Sequence, residues 1–368
     1  MAGIYFHVPF CRKKCTYCDF HFSTTFSGYR TELLELMSLE FNQRLNEINE
    51  PIKTIYFGGG SPGLLTPKEL EMLLKEPLRI ASNQLVELTL EANPEDVTQA
   101  NLTAWKTLGI NRISLGIQSV NKDILRWMNR NHTVEQSISA LKLLEAYGFS
   151  LSIDLIYGVP NQEVSDVLKV IELLDLFHIE HLSAYALTKE PNTALDRWIQ
   201  QGKTAEIDDE MQIKHYYTIQ HELKVRNFTQ YEVSNYAKNG QIAKHNTNYW
   251  EGKQYIGIGP GAHSFDGVST RRWNVSNNQR YVKQQQWFEL EVLSENNIWN
   301  ECWLTGLRTV HGVSLDKLQS LGGISSKEAE ELKKLMVEGF LRLENNQYKL
   351  TDSGFLSADR LASVMFRI

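Results

Sequence analysis

Several things this chain of 368 residues lacks narrow what it can be. It has only four cysteines, three of them crowded between residues 11 and 18, so a disulfide framework and a secreted scaffold are not expected. No apolar run approaches the length of a membrane span. The N-terminus has neither a basic stretch nor a long apolar segment ending in small residues, so no secretory leader is expected and the reading is cytoplasmic. There is no excess of basic charge: a formal net charge of −6 gives the whole molecule no electrostatic reason to meet nucleic acid. With 42% apolar content the chain can still bury a large core, more than one ordinary domain needs.

What is present starts with Cys11-x-x-x-Cys15-x-x-Cys18, placed directly after the apolar run Ile4 to Phe10. Three thiolates are soft ligands that suit an iron–sulfur cluster or zinc, and a trio leaves a fourth coordination position open. A zinc ion would need a further ligand, which His7 or His21 is placed to supply, yet no second C-x-x-C knuckle follows. The fourth cysteine, Cys302, is far away and reads as a small buried residue.

Short β-rich runs alternate with helical stretches. The strands are expected at Gly3 to Val8, Thr54 to Phe57, Leu85 to Glu91, Arg112 to Gly116, Leu151 to Ile156, His181 to Ala186 and Thr229 to Val233. Helices are expected at Tyr29 to Leu45, Pro67 to Leu74 behind an N-cap Thr66, Val134 to Tyr147 before a C-cap Gly148, and Val164 to Phe177. Such alternation implies a parallel sheet covered by helices, a partial or open (β/α) barrel in the first instance and a flat doubly wound sheet in the second. The barrel is favoured by where the chemistry falls. Gly58-Gly59-Gly60-Ser61, Glu91-Ala92-Asn93-Pro94, Gln118-Ser119, Asp154 and Tyr185 all sit at or near strand ends, which converge on one face of a parallel barrel. The glycine triplet is not a phosphate loop, because no Gly-Lys-Ser/Thr follows it.

Tyr5-x-His7-x-Pro9-Phe10-Cys11-x-x-x-Cys15-x-Tyr17-Cys18 resembles the signature of radical S-adenosylmethionine enzymes, in particular the oxygen-independent coproporphyrinogen III oxidase branch. Gly58 to Pro62, Glu91-x-Asn93-Pro94, Ser114 to Ser119, Asn129-Arg130 and Asp154 to Pro160 match that branch in order. The resemblance implies a radical SAM barrel and a [4Fe–4S] cluster on Cys11, Cys15 and Cys18, with S-adenosylmethionine on the fourth iron. It implies cofactor contacts from Tyr5, Tyr17, Gly59, Gly60, Ser61, Glu91, Gln118, Arg130 and Asp154. Chemically, Glu91 suits a cation, Arg130 a carboxylate, Gln118 or Asp154 ribose hydroxyls, and Tyr17 an adenine face.

Two features separate the chain from the oxidases of that branch. Those enzymes carry a further cysteine two positions after the third ligand, where this chain has Phe20, and a longer segment ahead of the motif. Cys-x-Tyr-Cys-Asp-Phe is similar instead to the haem-chaperone subgroup, and His245-Asn246-Thr247-Asn248-Tyr249-Trp250 matches a motif of that subgroup linked with haem. That resemblance makes His245 the first haem-ligand candidate, because imidazole is a common axial ligand, with His263 of the turn Ile256 to His263 as a second.

The C-terminal part, after the polar stretch Ser294 to Asn300, reads as a small α+β unit. Helical patterns near Leu315 to Leu318 and Ser326 to Glu338 precede a hairpin about Asn345-Asn346, which resembles a winged helix. From Ser314 to Ser353 six Lys/Arg stand against seven Asp/Glu, a poor footprint for DNA and a better one for docking or a lid. The expected division is residues 1–235 for the barrel with cluster and S-adenosylmethionine, 236–300 for a connecting region, and 301–368 for the winged-helix-like domain. The first functional reading is a chaperone that binds haem and passes it to acceptor proteins, touching membrane haem proteins only from outside the bilayer. The second is an enzyme that makes a 5′-deoxyadenosyl radical to oxidise a porphyrinogen, and the third is a zinc-stabilised scaffold. Whether the chain turns over a substrate stays open at this level.

Overall fold

The computed structural model describes residues 1–284 and 287–368. Strands β1 (Ala2–Val8), β2 (Ile52–Gly59), β3 (Glu87–Ala92), β4 (Arg112–Gln118), β5 (Ser150–Tyr157) and β6 (His181–Ala186) lie side by side and parallel. Parallel neighbours need long crossovers. Helices Arg30–Gln43, Pro67–Ala81, Gln99–Thr107, Val134–Tyr147 and Val164–Leu176 supply them. The strands are buried on both faces, as helix-covered parallel strands are. In β1 only Tyr5 is not fully buried.

The sheet then grows at both sides. Strands β7 (Thr229–Gln230) and β8 (Asn235–Ala237) add antiparallel beside β6. On the other side β9 (Tyr255–Ile258) returns to run parallel with β1, followed by antiparallel β10 (His263–Phe265), β11 (Thr270–Asn274) and β12 (Phe288–Val292). The 12-stranded sheet begins with β12 and ends with β7, which do not pair, so the barrel is open.

Element positions follow the sequence expectations, with three informative differences. Helix Pro67–Ala81 runs past Leu74 and through Pro77, because Leu70, Leu73, Leu74, Pro77 and Ala81 form one buried stripe that outweighs the lost hydrogen bond. Strand Thr229 to Val233 shortens to Thr229–Gln230. Polar Ser294 to Asn300 is the start of a helix, Glu295–Leu307: Ser294 caps it by accepting from the Asn297 backbone, and Trp299, Trp303 and Leu307 bury its inner face. That helix crosses the boundary expected at 300/301.

The C-terminal unit combines this helix and helices Leu315–Ser320 and Ser326–Val337 with a three-stranded sheet made of Val313–Ser314, Leu341–Glu344 and Gln347–Leu350. Asn345 and Asn346, at φ +50° and +62°, form the left-handed turn of its hairpin. The Trp299 indole donates to the Met365 carbonyl at 2.8 Å.

Two polar devices fix the added strands. Glu40 and Arg44, both buried, clamp helix Arg30–Gln43 to β9–β11. Arg44 donates to Glu40 (2.9 Å) and the Gly257 carbonyl (2.7 Å), and Glu40 accepts from Asn274 (2.9 Å), the Gly259 amide (2.9 Å) and Tyr281 (2.7 Å). The second device is the short helix Lys244–Trp250, which plugs the barrel end opposite the cysteines. Glu87 at the start of β3 accepts from the backbone amides of Lys244 (2.8 Å) and His245 (2.9 Å).

Candidate cluster and cofactor site

The strand ends do converge. Cys11, Cys15, Cys18, Tyr17, Gly59, Gly60, Ser61, Glu91, Gln118, Arg130 and Asp154 all line one cavity of about 420 Å³, within the range of small-molecule sites. Two backbone features make this possible. Gly60 donates to the Val8 carbonyl at 2.9 Å and Ser61 to the Phe10 carbonyl at 2.7 Å, tying the end of β2 to the root of the cysteine loop. A Cβ at Gly60 would stand 2.6 Å from the Phe10 carbonyl oxygen, so this cavity-lining glycine also permits the close approach of β2 to the cysteine loop. At the end of β4 the register with β5 slips and Gln118 takes φ +65°, a conformation a glutamine adopts only where its surroundings enforce it. Its Oε1 is buried with no protein partner, so the cavity holds an unanswered acceptor.

A hydrogen-bonded arc joins two of the thiols. Ser61 Oγ donates toward Cys11 Sγ (3.8 Å), Asn93 Nδ2 donates to Ser61 Oγ (2.9 Å), Arg130 donates to Asn93 Oδ1, and Arg130 Nη1 reaches Cys15 Sγ (3.6 Å). Arg130 also donates to the Gly116 carbonyl at 2.8 Å, which leaves only its Nε without a protein partner. Arg130 thus lines the cavity braced by Cys15, Asn93 and Gly116, and its free Nε is compatible with the expected contact to a ligand carboxylate. Asn93 was visible in the Glu91-x-Asn93-Pro94 block, but nothing in its type announced that it would bridge β2 to the loop that carries Arg130.

Burial pushes the Cys11 and Cys18 thiols up to about 11 and about 12, so a positive partner is needed to hold them as thiolates. Among the described residues no three His, Cys, Asp or Glu side chains close on a single ion. A zinc ion on these thiols would need a fourth ligand, and neither histidine candidate is open to supply it. His7 accepts from Tyr5 (3.1 Å) and donates to the His21 carbonyl (2.8 Å), while His21 Nε2 is paired with Asn278 at 2.7 Å.

Opposite the thiols stand two half-buried carboxylates. Glu91 accepts from Tyr56 at 2.7 Å, and burial together with nearby Asp154 pushes it up to about 7. Asp154 accepts from Ser114 at 3.3 Å and is raised to about 6, chiefly by burial. These groups can answer a cation or hydroxyls. Tyr5 does not line the cavity; its ring stands beside Tyr56, centroids 6.1 Å apart, and supports Glu91 from below.

His245 is likewise absent from the mouth. It is 1% exposed, with Nδ1 on Thr54 Oγ1 (2.8 Å) and Nε2 on the Tyr249 hydroxyl (2.7 Å), and burial lowers its pKa to about 3. Both nitrogens are engaged at the plugged end, so in this conformation it is a structural histidine and not an open axial ligand.

Comparison with known proteins agrees with this geometry. The Radical SAM superfamily model matches residues 5–174 and the HemN C-terminal domain model residues 293–357. The chain is 32% identical to the haem chaperone HemW of Mycobacterium tuberculosis over 99% of its own length and 94% of that protein, and 32% identical to HemW of Bacillus subtilis over 97% of each. The chain belongs to the HemW family. A mitochondrial relative from Danio rerio, radical S-adenosyl methionine domain-containing protein 1, is 36% identical over 71% of this chain and 60% of its own length. The fold of this HemW-family chain matches that of Escherichia coli coproporphyrinogen III oxidase, HemN, at a TM-score of 0.81 over 99% of this chain and 90% of that one, with 18% identity. Family membership implies a [4Fe–4S] cluster and S-adenosylmethionine, and the donor set fits: three thiols, an arginine behind one of them, an unanswered amide oxygen and two carboxylates around one cavity.

Proposed function

We propose that this chain binds haem and delivers it to acceptor proteins, acting in the cytoplasm. Cys11, Cys15 and Cys18 would hold the cluster, and Glu91, Asp154, Gln118, Gly59 and Tyr17 would contact S-adenosylmethionine. The cluster supplies redox chemistry when bound, while the protein's own residues hold the thiols, shield them from water and keep an anionic wall opposite. Among the described residues no helix is long and apolar enough to cross a membrane.

The observation that carries the reading over an oxidase is likeness to haem chaperones along the whole chain, joined to one local fact. Phe20 lines the cavity mouth and is 67% exposed, two positions after Cys18, where the oxidases are expected to have a cysteine. Anaerobic incubation with reductant, S-adenosylmethionine and coproporphyrinogen III should give no decarboxylation above a blank, while titration with haem should produce a saturable Soret band. Turnover in the first assay, or no saturable band in the second, overturns the proposal.

A further inference from the structure

If haem is bound, its iron needs a donor that reaches the surface, and the ten histidines can be sorted on that ground. His7, His21, His181 and His245 have ring nitrogens committed to internal partners. His132 and His215 are buried and bonded to backbone groups. His178, His221, His263 and His311 are exposed. Among the described residues only His263 of these four has an aromatic ring against it: Trp273 lies 6.2 Å away, centroid to centroid, at 22°.

The pair is built into the sheet. His263 and Trp273 are directly opposite in β10 and β11, and Phe265 and Arg271 form the next pair on the same face. One face of two adjacent strands thus presents an imidazole with no hydrogen-bond partner among the described residues, an indole, a phenyl ring and a guanidinium. Arg271 holds Glu301 at 2.9 Å, and its Nε has no protein partner. The ribbon is also rigid. The Gly257 carbonyl and Gly259 amide that flank it, together with Ser264 and Asn274, are gripped by the buried Glu40–Arg44 clamp.

We propose that haem binds on this face of β10 and β11, with His263 on the iron, Trp273 stacked beside the imidazole to hold its plane and Arg271 on a propionate. The assignment rests on the chaperone reading. It replaces His245, whose release would require opening the barrel plug. An imidazole supplies a lone pair to iron, an indole stacked on it fixes its orientation, and a guanidinium pairs with a carboxylate. Glu289 and Glu291, the exposed partners of Trp273 and Arg271 in β12, repel a second propionate and so turn that edge of the porphyrin away from β12. Burial and Arg271 lower the pKa of His263, which keeps its ring neutral and able to donate near neutral pH.

The test uses the full-length, cluster-loaded protein with haem as the probe, read by Soret and visible absorbance and by low-temperature electron paramagnetic resonance of the ferric form. His263→Ala should lose the imidazole signature while keeping the iron–sulfur absorbance and the far-ultraviolet circular dichroism. Exogenous imidazole should restore the signature in His263→Gly. Trp273→Ala should keep the signature but weaken binding by about tenfold, the equivalent of one aromatic contact. His311→Ala, an exposed control, should behave as wild type. An unchanged imidazole signature in His263→Ala, or failure of imidazole to rescue His263→Gly, overturns the assignment. Absence of saturable haem binding in the wild type instead overturns the chaperone reading on which it rests.

Discussion

Glu91 is held in a state that a bound cation would change. Burial raises its folded pKa to about 7, above the usual carboxylate value near 4.3, so the native state holds its proton more tightly than the unfolded chain. The apo-protein therefore gains stability from this group as pH falls from about 7 toward 4.5, and loses it as pH rises through that window. A cation prefers the ionised form, so affinity for S-adenosylmethionine should climb between pH 6 and 8, on the order of the titration window, and level off above it. Calorimetry on cluster-loaded protein checks this. Glu91→Gln should flatten the profile and weaken binding by about 1.5–3 kcal/mol. A profile still rising with the same midpoint in that variant would assign the step elsewhere. Among the cysteines, Cys15→Ala should remove most cluster iron and Cys302→Ala little of it, as judged by iron content and oxygen-sensitive absorbance; Cys302 packs at the edge of the apolar core, away from the cavity. The three cysteines could be picked out in the sequence as candidate cluster ligands because that spacing has few other uses, and the structure places all three at one cavity. The roles of Arg130, Asn93 and Tyr5 were not, because each depends on a neighbour distant in sequence.

Helix Arg30–Gln43 and helix Lys244–Trp250 carry opposite lessons about what a segment shows before it folds. The first was expected from its pattern, yet its buried Glu40 would be read from sequence as a solvated residue. Three of its four partners, Gly259, Asn274 and Tyr281, lie more than two hundred positions away. Glu40→Ala should cost about 1–3 kcal/mol by stranding the buried Gly259 amide, Asn274 and Tyr281 donors, while Arg44 keeps Glu47, measured as a lower urea midpoint at constant slope. The second helix was singled out for the chemistry of its histidine. Its position under the barrel depends on Glu87, whose carboxylate receives two of the free amides at the helix start. His245→Ala should therefore cost about 1–3 kcal/mol by stranding the Tyr249 hydroxyl and leaving Thr54 with Asn248 alone, with haem affinity unchanged in the fraction that stays folded. A large change in haem spectrum without a stability loss would return the ligand to His245.

For the molecule as a whole, alternation of strands and helices made the open parallel barrel legible, since only a few topologies satisfy right-handed crossovers. The side extensions were not. Strands β9–β12 are only 3 to 5 residues long, and nothing local to residues 255–292 says that they will pair beside β1. Yet β1 is an interior strand, flanked by β2 and by β9. A ribosome releases β1 first and its second partner only after residue 255, so through most of synthesis the strand that roots the cluster loop keeps one edge unpaired. A chain ending at residue 250 should accordingly form intermolecular sheet and sediment as aggregate, whereas one ending at residue 292 should keep its parallel core dispersed. The cofactor loop at the beginning of the chain thus reaches its final setting only late in synthesis, and metal loaded onto the nascent chain before then would meet cysteines whose supporting strand is still half-bound.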